Sequence, residues 1–358
     1  MFEAQTGGIE KRIRSWSGQS VVVAYDPPTD TWIFVAVHDV SLGPAVGGTR
    51  VKPYPRPEDG LVDAMRLAEG MTYKWAGIDM PFGGGKAVLA LSRALEEPER
   101  LRLLRHYGRL LNSLRGAFST GVDLGTTPED MVVVAAEAEY VVGVHDHGSA
   151  DPGPYTALGV LSGIRASVRE AFGAESLSGR SVLIQGVGDV GLPLARMLAE
   201  AGAIVLLNDL DESLAREVAL ELGGKAIPSD GLYEIDCDVF APSAIGAVVN
   251  PETIPALRCR VVAGSANNQL ASTEDADRLH QRGILYAPDY IINAGGAIAF
   301  GRMHLGETDE AVLRREVKGI EATLDEIFRE AREADESPLH AAQRRARRVL
   351  EGARLAAQ

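Results

Sequence analysis

At 358 residues the chain is long enough for two domains with separate cores, and its 46% hydrophobic and 24% charged residues are those of an ordinary soluble globular protein. A formal net charge of -14 argues against a nucleic-acid or anionic-membrane partner, because either would require a basic face. No apolar stretch approaches a membrane span, the opening MFEAQTGGIEKRIRSW has no signal-peptide core, and Cys237 and Cys259 make neither a disulfide framework nor a metal site, so a reduced, cytoplasmic setting is expected.

Val21 to Tyr25 and Trp32 to His38 flank the turn cluster DPPTDT and read as the strands of a hairpin. The segment SLGPAVGGTR follows, and its Gly43, Gly47 and Gly48 invite close backbone approach; taken alone it is a glycine-rich loop. Leu61, Met65, Leu67, Ala68 and Met71 recur with helical period, which puts Lys74 near the end of an amphipathic helix. Gly83, Gly84 and Gly85 then lead into Lys86 and the apolar run Ala-Val-Leu-Ala-Leu, a buried strand with the lysine at its edge.

Two ammonium groups in one partly dry cleft disfavour each other's charge, so one lysine would hold a carboxylate while the other moves protons. Two plainer readings compete. A nucleotide phosphate loop would require glycine at Met80 and Ser or Thr at Ala87, and neither is present. A strand-entry turn with a lysine reaching solvent remains open, and for a GGGK motif taken alone it is the commoner case.

Glu96 to Leu114 reads as a solvated surface helix. In AFSTGVDLGTTPEDM, Thr127-Pro128 starts a helix and Asp123 lies just before it among small residues. Such an aspartate is usually a turn-former; facing a lysine cleft it would be the natural proton partner. The polar stretch Val141 to Thr156 is placed as domain boundary and hinge, and its His145 and His147 lack a third metal ligand.

The second half alternates helix and strand. Gly186, Gly188 and Gly191 form G-x-G-x-x-G after a strand, Ser181 to Gln185, and before a helix, Val190 to Ala201. Asp209 ends the next strand about 20 residues on, in the place of the acidic residue that accepts from ribose hydroxyls and repels a 2′-phosphate, so NAD is favoured over NADP. Strands are expected at Asp238 to Ala241 and Arg260 to Ala263, with GSANNQ and PDYIINAGGAI at carboxyl ends of strands where ligands bind. From Asp309 onward two charged helices are expected, broken near Ser337-Pro338.

The motifs LGPAVGGTR, GMTYK, GGGK, TGVDLGTT, QGVGDVG, APSAIG, GSANNQL and APDYIINAGG occur in one order from about Leu42 to about Phe300. In these the sequence resembles the Glu/Leu/Phe/Val dehydrogenase family, and its leucine, phenylalanine and valine branch in particular. The resemblance implies an α/β protein with an N-terminal α/β substrate and oligomerisation domain, residues 1–142, and a Rossmann-type doubly wound dinucleotide-binding domain, residues 143–334. The C-terminal helix, about 335–358, is a candidate to return to the first domain.

By position, the resemblance makes Lys86 the catalytic acid/base and Asp123 the proton-relaying carboxylate, with Lys74 binding the substrate α-carboxylate. Gly47 and Gly48 lie against the substrate, and Val46 and Met71 join them. Asn267 lies near the nicotinamide ribose and substrate, and Thr156 meets the nicotinamide end. Val187, Asp189 and Val190, between the glycines, and Ala241 join Asp209 in the cofactor site. Gly121, Ala297 and Phe300 match the side-chain pocket.

Glutamate-specific relatives carry lysine where this chain has Val46. Leucine-specific relatives tend to have Ala and Val at Gly121 and Ala297, so phenylalanine is expected slightly ahead of leucine, with valine third. The implied reaction is NAD-dependent oxidative deamination of an apolar L-amino acid to its 2-oxo acid and ammonia, by a homo-oligomer without metal, nucleic acid or membrane. A two-domain dehydrogenase acting on a one-carbon folate, and a non-catalytic NAD-binding regulator, are the alternatives. Intact Lys74, Lys86 and Asp123 count against both.

Overall fold

Alternation along strands decides the first half of the chain. In the computed structural model, which describes residues 9–145 and 148–356, helix α1 (Ile9–Ser15) leads into the hairpin β1 (Ser20–Asp26) and β2 (Thr31–Asp39). The Asp26 carboxylate accepts from the Thr29 backbone and hydroxyl to fix the turn. Then come β3 (Ala45–Pro53), α2 (Pro57–Gly77), β4 (Gly83–Leu91), α3 (Glu97–Ser113), β5 (Phe118–Val122) and α4 (Pro128–Ala135). The sheet order is β1-β2-β4-β3-β5, with β4 antiparallel to β2 and parallel to β3. Val88 and Ala90 of β4 pack with Leu61, Met65 and Ala68 of α2, whereas Ala87, Leu89 and Leu91 join Leu103, Leu104, Tyr107 and Met131 on the other face. Lys86 shares the parity of Val88 and Ala90, which turns it toward the α2 side.

The glycine run is not a turn before the strand, as expected, but its first three residues, so Lys86 is well inside a central strand rather than at its edge. A side chain on Gly84 would lie 2.0 Å from the Thr72 hydroxyl of α2, and one on Gly85 2.6 Å from the Phe118 ring. Protein, rather than a small ligand, fills the space these glycines leave.

The chain after α4 lies along β5, where the Val142 N–H donates to the Thr120 carbonyl at 2.6 Å, and a short hairpin follows, β6 (Val144–His145) and β7 (Gly148–Ser149). The first of two compact units comprises the residues up to Asp151 together with those from Ala346 onward. His147 lies outside the described residues, as does the side chain of His145. Among the described residues no group of His, Cys, Asp and Glu could hold a metal, and no helix is long and apolar enough to cross a membrane.

The second unit, Pro152–Arg345, contains α5 (Gly153–Phe172), β8 (Ser181–Gln185), α6 (Gly191–Glu200), β9 (Ile204–Asn208), α7 (Glu212–Leu222) and β10 (Lys225–Ala226). It continues with β11 (Val239–Pro242), β12 (Val261–Val262), α8 (Glu274–Gln281), β13 (Leu285–Tyr286), α9 (Asp289–Ile292), α10 (Gly295–His304), α11 (Glu310–Lys318) and α12 (Ile320–Ala334). Its six strands are all parallel, in the order β10-β9-β8-β11-β12-β13. The order reverses direction between β8 and β11, which opens a crevice at their carboxyl ends. The last helix, α13 (Pro338–Ala356), begins in this unit and ends in the first, where Ala346 and Leu350 pack on Ala76 and the Arg354 guanidinium meets Asp39 at 2.5 Å. Three helices rather than two follow Asp309, because the chain breaks once more at Gly319.

The turn that carries Asp123 is secured by the Thr126 hydroxyl, which accepts from the Asp123 N–H at 2.8 Å, and by the start of α4. Thr127 caps the helix and exchanges bonds with Asp130, which also receives Arg100 at 2.5 and 3.1 Å. Asp130→Ala should therefore lower the unfolding free energy by about 2–3 kcal/mol through loss of the cap and the ion pair. Denaturant titration measures it, and a change below about 0.5 kcal/mol would show that the turn is held elsewhere.

Candidate active site

On the α2 face of the first sheet, Lys86 from β4 and Asp123 from the end of β5 stand two strands apart with β3 between them. Adjacent strands are separated by about 4.8 Å, so a lysine needs its whole stem to cross that gap. The crossing is clear because β3 has glycine there: a side chain on Gly48 would lie 2.8 Å from the Asp123 Cβ. The Lys86 Nζ donates to Asp123 Oδ1 at 2.7 Å, with 6% of the lysine side chain and 15% of the aspartate exposed.

The other oxygen of Asp123 is also engaged. Arg50 of β3 donates its Nε to Asp123 Oδ2 at 2.8 Å, and its outer nitrogen to Asp63 Oδ2 on α2 at 3.0 Å. Burial pushes the Asp123 carboxyl up, but Lys86 and then Arg50 outweigh it and hold the group well below the usual carboxylate range. Asp123 is thus an ionised acceptor at any pH near neutral.

Neither Arg50 nor Asp63 was anticipated as part of this cluster. The available signal was the alternation of Gly48, Arg50 and Lys52 in a segment expected as a glycine-rich loop, which the structure instead makes strand β3. Lys74 lies half-buried in the last turn of α2, and Met71 one turn earlier lies 3.4 Å from the side-chain position of Gly47. Val46 is buried, and its carbonyl accepts from the Trp75 indole at 2.9 Å. Gly121 pairs with Gly48, and a methyl on it would make only ordinary contact, 3.6 Å from the Val142 carbonyl.

In the second unit the three motif glycines do three different things. Gly186 has φ +103, which a side chain rarely adopts, and turns the chain out of β8; a methyl on Gly191 would lie 1.9 Å from the Gly186 carbonyl. Gly188 alone faces open space, with nothing within 4 Å. Behind this turn the Asp209 carboxylate accepts from the Val187 N–H at 2.8 Å and the Asp211 N–H at 2.9 Å. Each oxygen retains acceptor capacity for a ribose hydroxyl. Asp189 is exposed and Val190 precedes α6 directly. Open backbone before a helix N-terminus, next to an acidic residue, fits a dinucleotide. Ala241 is wholly buried within β11, and Ala244, three residues later, is the one that meets the Gly186 turn.

The start of α10 gathers the remaining residues of this unit. The Thr156 hydroxyl would lie 2.8 Å from a side chain on Gly296, and Asn293, just before the helix, donates to Asn267 Oδ1 at 2.7 Å and to the Ser265 carbonyl at 3.1 Å. Asn293 was not singled out in the sequence, although it lies within the motif APDYIINAGG. Ala297 is half-buried, whereas Phe300, one turn on, is 7% exposed and packs into the unit.

A parallel sheet shaped for a dinucleotide and a buried lysine–carboxylate pair together suit enzymes that move a hydride and protons in one turnover. The chain matches the description "Glu/Leu/Phe/Val dehydrogenase, dimerisation domain" over residues 32–140 and "Glutamate/Leucine/Phenylalanine/Valine dehydrogenase" over residues 207–357. Phenylalanine dehydrogenase of Lysinibacillus sphaericus is 40% identical over 344 residues, covering 93% of this chain and 89% of that protein. Leucine dehydrogenase of Bacillus subtilis (strain 168) is 38% identical over 320 residues, covering 89% and 87%. The crystal structure of L-tryptophan dehydrogenase from Nostoc punctiforme superposes with a TM-score of 0.82 at 38% identity, covering 97% of this chain and 99% of that one. The chain belongs to the Glu/Leu/Phe/Val dehydrogenase family. It is an NAD-dependent amino-acid dehydrogenase, an oxidoreductase acting on CH–NH2 donors, and these relatives favour neither the folate dehydrogenase nor the non-catalytic regulator.

The two glycines should respond differently to a methyl group. Gly188→Ala should fold with an unchanged melting temperature yet bind NADH at least about tenfold more weakly, because the new group enters the open space before α6. Gly191→Ala should melt lower. Fluorescence titration and thermal melting separate the two, and normal NADH binding by Gly188→Ala would move the dinucleotide elsewhere.

Proposed function

We propose that this enzyme oxidises a bulky apolar L-amino acid with NAD and water to the 2-oxo acid, ammonia and NADH, with phenylalanine ahead of leucine and valine third. Lys86 and Asp123 are its proton-transfer pair. The observation that carries this reading is the contact between Lys86 and Asp123 across a strand that offers no side chain between them.

NAD, held on the second unit, would supply the hydride acceptor for Cα. The chain supplies the rest. Lys74 holds the substrate α-carboxylate, and Gly48 keeps the path between Lys86 and Asp123 clear. Once Lys86 has given up its proton it activates water against the imine carbon, and Asp123 relays the proton that lets the amine leave as ammonia. Loss of the lysine charge removes one of the two cations that depress Asp123, so the carboxylate becomes a better acceptor when the relay needs one. On the second unit the Gly186 to Gly191 turn and Asp209 would hold the dinucleotide, and Thr156 and Asn267 would meet its nicotinamide end.

The side-chain preference rests on Val46, Gly121 and Ala297. A buried valine offers no partner to a substrate carboxylate, and Gly121 and Ala297 bring little side chain of their own. Two free cysteines suit a cytoplasmic setting. The description of residues 32–140 as a dimerisation domain, and the exposed Val23, Tyr25 and Trp32 on β1 and β2 of that unit, support a homo-oligomer.

Lys86→Ala should abolish turnover and leave NADH binding intact, since the cofactor residues lie in the other unit; wild-type turnover in that variant would end this mechanism. A panel of kcat/KM values for phenylalanine, tryptophan, leucine, valine and glutamate checks the preference. The apolar substrates should overlap, since each methylene is worth about 1–3 kcal/mol, and glutamate should be very poor. Glutamate equal to the best apolar substrate would overturn the argument from Val46, and valine far above phenylalanine the argument from pocket size.

A further inference from the structure

We propose that Arg50, braced by Asp63, is a positioning residue that fixes the Asp123 carboxylate for proton relay. The inference rests on Asp123 being the relay group. Arg50 lies on β3 with 12% of its side chain exposed, and its two carboxylate contacts are on different elements, Asp123 after β5 and Asp63 on α2. It therefore joins the reacting pair to the helix that carries Lys74.

Asp63 is itself held from three sides. Arg50 and the Tyr54 hydroxyl donate to its Oδ2 at 3.0 and 2.6 Å, and Arg66 donates to Oδ1 at 2.9 Å. Burial pushes Asp63 up, but the Tyr54 hydroxyl, Arg50 and Arg66 together hold it low, so the brace stays charged. The charged groups around Asp123 are Lys86 on β4 and Arg50 on β3, with Asp63 and Arg66 behind the arginine. On the α4 side, Asp130 is occupied by Arg100.

The two oxygens of Asp123 thereby acquire different jobs. Oδ2 is fixed by a guanidinium that does not release its proton, whereas Oδ1 faces the ammonium of Lys86. Proton exchange is confined to one oxygen and one direction. The same guanidinium favours the ionised carboxylate, so a neutral side chain at 50 would both free the rotation of Asp123 and make it easier to protonate.

The sign of the pH effect follows. Asp123 and Lys86 titrate as one coupled pair, and the Arg50 guanidinium in contact with it disfavours its protonated state, so removing the Arg50 charge moves the acid limb of the rate profile to higher pH. The test measures kcat and kcat/KM against pH, NADH binding and melting temperature for Arg50→Gln, Arg50→Lys, Asp63→Asn and Asp123→Asn. Arg50→Gln should lose about tenfold or more in kcat, with the acid limb raised by about one pH unit and NADH affinity unchanged. Arg50→Lys keeps the charge but cannot bridge both carboxylates, so its limb should stay near that of the wild type with an intermediate kcat. Asp63→Asn should follow Arg50→Gln more weakly. An unmoved limb in Arg50→Gln, equal loss in the lysine and glutamine variants, or loss of folding in all three network variants would overturn the proposal. Wild-type turnover by Asp123→Asn would instead overturn the underlying reading of Asp123, so the two failures are distinguishable.

Discussion

The contact between Lys86 and Asp123 is the constraint around which the first unit is arranged. Removing two charges from water costs several kcal/mol per ion, and the attraction repays it only when the geometry is good and the remaining lone pairs are used. Here the geometry depends on sheet order. Lys86 and Asp123 come from strands on either side of β3, and only a residue without a side chain at position 48 lets them meet. The second oxygen of Asp123 is satisfied by Arg50 and the arginine in turn by Asp63, so the buried charges alternate in sign away from the lysine.

The second unit solves a different problem with the same residue type. In the first unit glycines let protein pack on protein, at Thr72 and Phe118. In the second, two of the motif glycines also serve packing and turning, and Gly188 alone leaves space. The Asp209 carboxylate links turn and acidic residue directly, since it accepts from Val187 within the motif. Mutual orientation of loop and carboxylate is thus set within the unit itself.

Specificity rests on much weaker forces than catalysis. A misplaced proton donor costs orders of magnitude in rate, whereas a methyl more or less in an apolar pocket changes selectivity only modestly. Relatives bearing the names phenylalanine, leucine and tryptophan dehydrogenase all stand at 38–40% identity to this chain, as expected where one catalytic arrangement accommodates pockets of different size.

Much was legible from local pattern. The β1–β2 hairpin follows from alternation around a Pro-rich turn, α2 from the period of its apolar residues, and the dinucleotide turn from glycines placed between a strand and a helix, because each depends on neighbours within about twenty residues. Asp123 could be suspected as a lysine partner from its small neighbours. What only the tertiary structure decided is which distant groups meet. Lys86 and Asp123 are 37 residues apart, and Arg50 and Asp123 are 73 apart. They face one another because β3 is inserted between β4 and β5, an order set by crossover packing that no local signal encodes. For the same reason no local signal tells that α2 and Phe118 pack against the glycines before Lys86, or that Asp63 and Asp123 meet the two ends of the Arg50 guanidinium.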